Sequence, residues 1–161
     1  MLVLFSKSPK SILGTPMPEN AREESRQDYL YFLKIPTRWL DVDRYHHVNN
    51  VVYYSYFDTI INEYLIGEGG FNPDNDAAIG VCAESQCCFR AEFTFPEAIE
   101  AGLRVGKLGN SSVRYEIGLF RKDCDAPAAT GYFVHVFVDR TQRRSCPIPG
   151  RIRAALERLV R

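Results

Sequence analysis

Residues 51–66, VVYYSYFDTIINEYLI, narrow the choice of fold more than any other stretch of this chain. The segment is too long for an ordinary strand, and Gly67 stands where a helix C-cap would. Asn49 or Asn50 suits the N-cap, because a side-chain amide oxygen there can accept a backbone N–H of the first turn. About 16 residues at roughly 1.5 Å each predict a rod near 24 Å long. Ser55, Asp58, Thr59, Asn62 and Glu63 crowd onto one side, and the remainder is apolar almost all the way round. A helix of that kind has to be covered on most sides.

Strand periodicity flanks it. Tyr29, Tyr31, Leu33 and Ile35 alternate onto one face, and Pro36 marks an edge or an end. After a loop rich in Gly, Asn and Asp, residues 79–95 alternate again. Ile79, Val81, Ala83, Cys87, Phe89, Ala91, Phe93 and Phe95 fall on one face with Ser85 as its polar member, and Glu84, Gln86, Arg90, Glu92 and Thr94 on the other. That pattern predicts one long strand covering the core on one side. Ile99, Ala101, Leu103 and Val105 repeat it, and a Gly109-Asn110 turn leads to Val113, Tyr115, Ile117 and Leu119, predicting a hairpin. Tyr132–Val138 is apolar on both faces, as in a central or interface-covered strand. Residues 147–160 read as a turn and a short amphipathic helix. A strand, a buried helix and then at least four antiparallel strands indicate an α+β fold with the sheet curled around the helix.

The chain has 161 residues, enough for one domain with a core that needs no staples. Residues 28–161 are expected to form it. Residues 1–27, with Pro9, Pro16 and Pro18 and a short apolar start, read as a flexible extension; Met1–Phe5 is shorter than a signal core, and no arginine precedes Arg22. Lysine plus arginine and aspartate plus glutamate both total 20, so there is no basic field for nucleic acid. No apolar run approaches the roughly 18 residues of a bilayer span. The 5 cysteines form no CxxC pair and suggest reduced thiols in a cytoplasmic setting. Asp41, Asp43, His46 and His47 are metal-ligand types, yet adjacent histidines seldom aim at one ion and no distant cluster completes a set. Neither metal nor cofactor is expected.

Those ionisable residues stand at the doorway of the helix, in RWLDVDRYHHVNNVVYYSYF from Arg38 to Phe57. The stretch resembles the opening motif of the hotdog-fold acyl-CoA thioesterases, 4-hydroxybenzoyl-CoA thioesterase-like branch, R-[WY]-x-D-x-D-x-x-G-H-V-N-N-x-x-Y-x-x-Y-F. Arg38, Trp39, Asp41, Asp43, His47, Val48, Asn49, Asn50, Tyr53, Tyr56 and Phe57 match it. The resemblance implies a hotdog fold, an antiparallel sheet wrapped around a long central helix. It also implies homodimers or homotetramers with sites at the subunit interface, and hydrolysis of an acyl-CoA to free acid and CoA. The family's catalytic carboxylate falls on Asp43. One departure is His46, which stands where the family has glycine, a residue that permits close backbone approach and positive φ.

A thioester carbonyl needs a nucleophile or an activated water and a group to hold the oxyanion. No GxSxG elbow is present, so Asp43 is the candidate, as nucleophile or general base. Backbone amides over residues 49–52, at the positive end of the helix dipole, are candidates for the oxyanion site. His47 either orients the site or is a satisfied structural histidine. Asn49 and Asn50 divide capping and substrate positioning between them. Val51, Tyr53 and Tyr56 are candidate substrate contacts, with core filling the plainer role for the tyrosines. Asp41 is expected to fix the loop or pair with Arg38, Asp58 is a reserve acid, and His135 a packed histidine. Arg90, Arg104, Lys107 and Arg114 are candidates for the CoA phosphates, although Arg90, Arg104 and Arg114 share strand faces with Glu92, Glu100 and Glu116 and can pair with them. Two other readings are open. One is a non-catalytic acyl-CoA-binding hotdog protein. The other is a hotdog hydratase, which Asp41 and His46 suggest by spacing but for which the accompanying Asn-Pro is missing.

Overall fold

The computed structural model describes residues 24–161. Of the extension read over residues 1–27, residues 1–23 lie outside the described residues; residues 24–27 lead into the 3-10 turn, and Arg26 donates to the Arg121 and Cys124 carbonyls, each at 3.0 Å. The elements run β1 (Tyr31–Pro36), α1 (Asn50–Gly67), β2 (Ala78–Phe89), β3 (Ala98–Leu108), β4 (Ser112–Phe120), β5 (Ala129–Asp139) and α2 (Gly150–Glu157), with 3-10 turns at Arg26–Asp28 and Trp39–Asp41. All strand pairs are antiparallel, and the sheet has the order β1-β3-β4-β5-β2.

Asn49 caps α1, its side chain accepting the Val51 N–H at 3.1 Å. Tyr53, Tyr56, Phe57, Ile60, Ile61, Tyr64 and Leu65 recur at helical spacing and are buried. They share one core with Ile99, Ala101, Leu103 and Val105 of β3 and Tyr115, Ile117 and Leu119 of β4. Phe57, Ile60 and Ile61 are fully buried, and each contributes about 1.5–3 kcal/mol. The Tyr64 hydroxyl donates to the Ala155 carbonyl at 2.8 Å, tying α1 to α2.

Four details depart from the sequence pattern. Cover on most sides of α1 is not reached within one chain, since Val51 is 65% and Ile66 47% exposed. Gly67 belongs to the last helical turn; Glu68 is the C-cap, and the left-handed residue beyond it is Gly70, at φ 63°. The strand predicted over 79–95 ends at Phe89, and its register slips at Ala83, between Cys82 and Glu84. The extra residue exchanges the faces: Ile79 and Val81 pair with Val138 and Val136 on the outer side, whereas Ser85, Cys87 and Phe89 pair with Phe133, Gly131 and Ala129 on the helix side. Finally, Tyr29 does not share a face with Tyr31. Its ring lies over Gly102 and Gly118 on the outer side, edge-on to Phe120.

The expected hairpin of β3 and β4 is present, β5 is central between β4 and β2, and β1 and β2 are the edges.

Gly131 of β5 sets how closely α1 approaches the sheet. A Cβ there would stand 2.3 Å from the Gln86 carbonyl oxygen and 2.5 Å from the Phe57 ring. Neither neighbour is a flexible tip. Gly131→Ala is expected to lower stability by about 1–3 kcal/mol, read as a lower urea midpoint at unchanged slope. An unchanged midpoint would show that helix and sheet separate freely at this point.

Candidate active site

The loop between β1 and α1 is built around one buried carboxylate. Asp41 is 1% exposed. Its Oδ2 accepts from the Arg38 N–H at 2.7 Å and the Tyr56 hydroxyl at 2.7 Å, and its Oδ1 from Arg38 Nε at 3.0 Å. The Asp41 carbonyl accepts the Asn49 N–H at 2.8 Å, so the same residue places the helix cap. Burial pushes this carboxyl up, but the Tyr56 hydroxyl, the Arg38 amide and the Arg38 guanidinium outweigh it and hold the carboxyl below the ordinary range. The expected pairing of Asp41 with Arg38 is therefore present, and the hydroxyl of Tyr56 is directed at Asp41.

Asp43 is half-buried in the next turn. Its Oδ1 accepts the Tyr45 N–H at 2.7 Å, its amide donates to the His47 carbonyl at 3.0 Å, and its carbonyl accepts the His46 N–H at 3.1 Å. Val42 and Val48 bridge across the base of the turn. No described residue hydrogen-bonds Oδ2 of Asp43. His46 closes the turn at φ 65°, the left-handed conformation a glycine adopts without strain.

The amides at the helix tip are not equivalent. Those of Val51 and Val52 go to the Asn49 side chain, at 3.1 Å, and the Asn49 carbonyl, at 2.9 Å, and that of Asn49 goes to Asp41. Among the described residues only Asn50 leaves a first-turn N–H without a partner, and Asn50 is exposed. The range of amides considered for the oxyanion thus narrows to one.

The other candidates separate. Tyr53 is 3% exposed and packs edge-on to Phe89 at 4.9 Å, and burial pushes its hydroxyl up. Val51 is exposed at the helix start. Arg90 follows β2, its Nε buried without a hydrogen bond among the described residues. Arg114 lies on the outer face, over the Tyr132 ring and 3.4 Å from Glu116; Arg104 reaches Glu116 at 2.7 Å. A single chain therefore does not bring Arg114 to Asp43. His135 is buried against Tyr115, and burial pushes its imidazole down. Asp58 is exposed on α1.

Glu92 and Thr94 escaped the sequence reading. Glu92 meets His47 Nε2 at 2.8 Å, and the Thr94 hydroxyl donates to the His46 carbonyl at 3.0 Å. Strand alternation had placed both on a solvent face. The signal that could have found them is Pro96, which makes a strand running through Phe95 improbable.

Because Asp41 is held below the carboxylate range of about 3.9, its pairing stabilises the fold fully above that value and is lost as pH falls through the folded one. Urea midpoints between pH 5 and pH 3, intervals set by about the ordinary carboxylate range, are expected to fall more steeply for wild type than for Asp41→Asn. Equal slopes would remove the carboxylate from the loop's energetics.

The thioesterase-like superfamily model matches residues 37–156. The PA5185 protein of Pseudomonas aeruginosa strain PAO1 is 47% identical, with a TM-score of 0.84 over 86% of this chain and 97% of that one. PA2801 of Pseudomonas aeruginosa, a candidate thioesterase, is 29% identical, with a TM-score of 0.74 over 80% of this chain and 98% of that one. The gentisyl-coenzyme A thioesterase BH1999 shares the fold at 21% identity, with a TM-score of 0.70 over 78% of this chain and 99% of that one. No curated protein matches the chain. The match takes in the carboxylate loop, the central helix and every strand after it, and on that extent the chain belongs to the thioesterase-like superfamily and carries its hotdog fold.

Proposed function

We propose that this protein hydrolyses an acyl-CoA thioester to the free acid and CoA, with Asp43 as the reacting carboxylate. The observation that carries the reading is a pairing at the helix tip. A carboxylate oxygen with no hydrogen bond from any described residue lies in the turn that leads into α1, and the Asn50 amide, the one first-turn donor left open, begins that helix. The acyl carbonyl oxygen sits on the Asn50 N–H, where the helix dipole favours the charge that develops on it. Asp43 then either attacks the carbonyl carbon, expelling CoA thiolate and leaving an anhydride for water to open, or takes a proton from water as that water attacks. In the first route the water that opens the anhydride releases the proton that the thiolate takes up; in the second Asp43 passes the proton it took from water to the departing thiolate.

Val51, exposed beside Asn50, and Tyr53 at the inner wall border the acyl group. Arg90, whose Nε is buried without a hydrogen bond to any described residue, is the better placed of the two proposed arginines for a CoA phosphate. The CoA thioester itself is supported by membership of the superfamily and by the name of the gentisyl-coenzyme A thioesterase that shares the fold. The active unit is a homodimer or a larger homo-oligomer. This is supported by β2, an edge strand with Val81 37% and Phe89 43% exposed, since an uncovered apolar edge invites a second strand. A sedimentation mass of one chain would remove this part of the reading. No helix among the described residues is long and apolar enough to cross a membrane.

Free-thiol release from a panel of aromatic, short and long acyl-CoAs tests the chemistry, with wild type beside Asp43→Asn. Turnover of at least one substrate is expected, and a loss of about a hundredfold or more in the variant, which keeps the wild-type melting temperature. Background rates for every substrate with wild type would sink the reading, and binding of acyl-CoA without turnover would replace it.

A further inference from the structure

Residues 90–95 were expected to prolong β2. Instead they leave the sheet and run along the carboxylate loop, meeting it at three successive residues. The Thr94 hydroxyl donates to the His46 carbonyl at 3.0 Å, Glu92 Oε2 meets His47 Nε2 at 2.8 Å, and the Phe93 carbonyl accepts the Val48 N–H at 2.8 Å. His47 passes the contact on, because its own carbonyl receives the Asp43 amide at 3.0 Å.

The segment is itself held firmly. Phe93 is fully buried, 6.0 Å from the Tyr53 ring. The amides of Arg90 and Ala91 both donate to the Ala128 carbonyl, at 2.8 Å and 2.9 Å. The Arg121 guanidinium donates to the Glu92 carbonyl, and the Thr94 N–H to Glu97 Oε2 at 2.7 Å. A rigid backbone therefore presents Glu92 to a loop of which one residue, His46, occupies a strained conformation.

The pair of His47 and Glu92 is 44% and 45% exposed, and pairs at that exposure add little to folding stability. Its consequence lies in geometry. Of the three contacts, two end on backbone carbonyls of the loop or its partner, and the Glu92 contact is the one made between side chains alone. It can be removed with no change to either backbone.

We propose that Glu92 is a positioning residue of the active site, holding the His47 imidazole so that the turn it closes keeps Asp43 aligned with the Asn50 amide. This rests on the assignment of Asp43 above. Misplacement of a reacting group by about 1 Å costs up to a hundredfold in rate, so a half-exposed contact can matter to turnover while mattering little to folding.

Glu92→Ala is expected to lower kcat about tenfold with little change in KM and melting temperature. Glu92→Gln, whose amide oxygen still accepts from His47, is expected to recover most of that loss. The double variant Glu92→Ala/His47→Ala is expected to be no slower than His47→Ala alone, as required if Glu92 acts through His47. Wild-type kcat in Glu92→Ala would overturn the proposal, and so would a full further loss in the His47→Ala background. Backbone hydrogen exchange separates this result from failure of the thioesterase reading, because it needs no substrate. Faster exchange at the Asp43 and Val48 amides in Glu92→Ala supports the positioning role even if no acyl-CoA tried is hydrolysed, and unchanged exchange refutes it.

Discussion

The buried carboxylate of Asp41 is the interaction on which the rest of the site depends. It is 1% exposed and accepts from the Arg38 amide, the Arg38 guanidinium and the Tyr56 hydroxyl. Tyr56 belongs to the stripe of α1 that packs on the sheet, so this one side chain joins the loop to the core. Leaving such a charge buried with a partner removed costs several kcal/mol, on the order of 3–5. The loop consequently has few alternative paths between Arg38 and Asn49. With the cap residue fixed by the Asp41 carbonyl, the first amides of the helix are distributed in only one way, and Asn50 is left over. The geometry behind the chemistry proposed for Asp43 therefore follows from a residue that is itself buried.

Much of the fold was legible in the sequence because apolar periodicity reports directly on which face is buried. The β3–β4 hairpin, the central place of β5 and the terminal helix all follow from alternation or helical spacing and turn residues. The exceptions have local causes that periodicity cannot register. An extra residue at Ala83 swaps the faces of β2 without breaking the apolar count. Tyr29 satisfies a strand pattern, yet it lies over Gly102 and Gly118, two residues without side chains to hold it off. In α1 the apolar surplus over what one sheet can cover shows as exposed Val51 and Ile66, a surplus that is informative only once the single chain's sheet is known to cover one face.

The carboxylate loop was legible to a different degree. Motif matching identified Asp41 and Asp43, and the pairing of Asp41 with Arg38 could be expected from their spacing at the start of a turn. The individual amides could not be ranked, because each depends on which carbonyl or cap oxygen captures it. Arg114 illustrates the opposite limit. Its charge made it a phosphate candidate, but its position between Val113 and Tyr115, both buried on the helix side, turns it outward over Tyr132. For Glu92 and Thr94, Pro96 signals locally that the strand does not run through Phe95, but nothing local names their partners His47 and His46, which lie more than forty residues earlier in the chain.

His46 brings the two halves of the loop's energetics together. A left-handed conformation costs a residue with a Cβ about 1–2 kcal/mol, and the family's glycine would avoid that cost. The histidine keeps the conformation nonetheless, at φ 65°, so the surroundings supply more than the strain takes away. Those surroundings are visible: the His46 carbonyl is held by Thr94, its amide by the Asp43 carbonyl, and its neighbour His47 by Glu92. A neutral hydrogen bond contributes about 0.5–1.5 kcal/mol, so two at His46 itself are enough to offset the strain without help from the half-exposed pair. The left-handed bend is thus held from two sides, by Thr94 of the 90–97 segment and by the Asp43 carbonyl of the loop itself. What the histidine adds is an imidazole at an exposed position of the turn that carries Asp43.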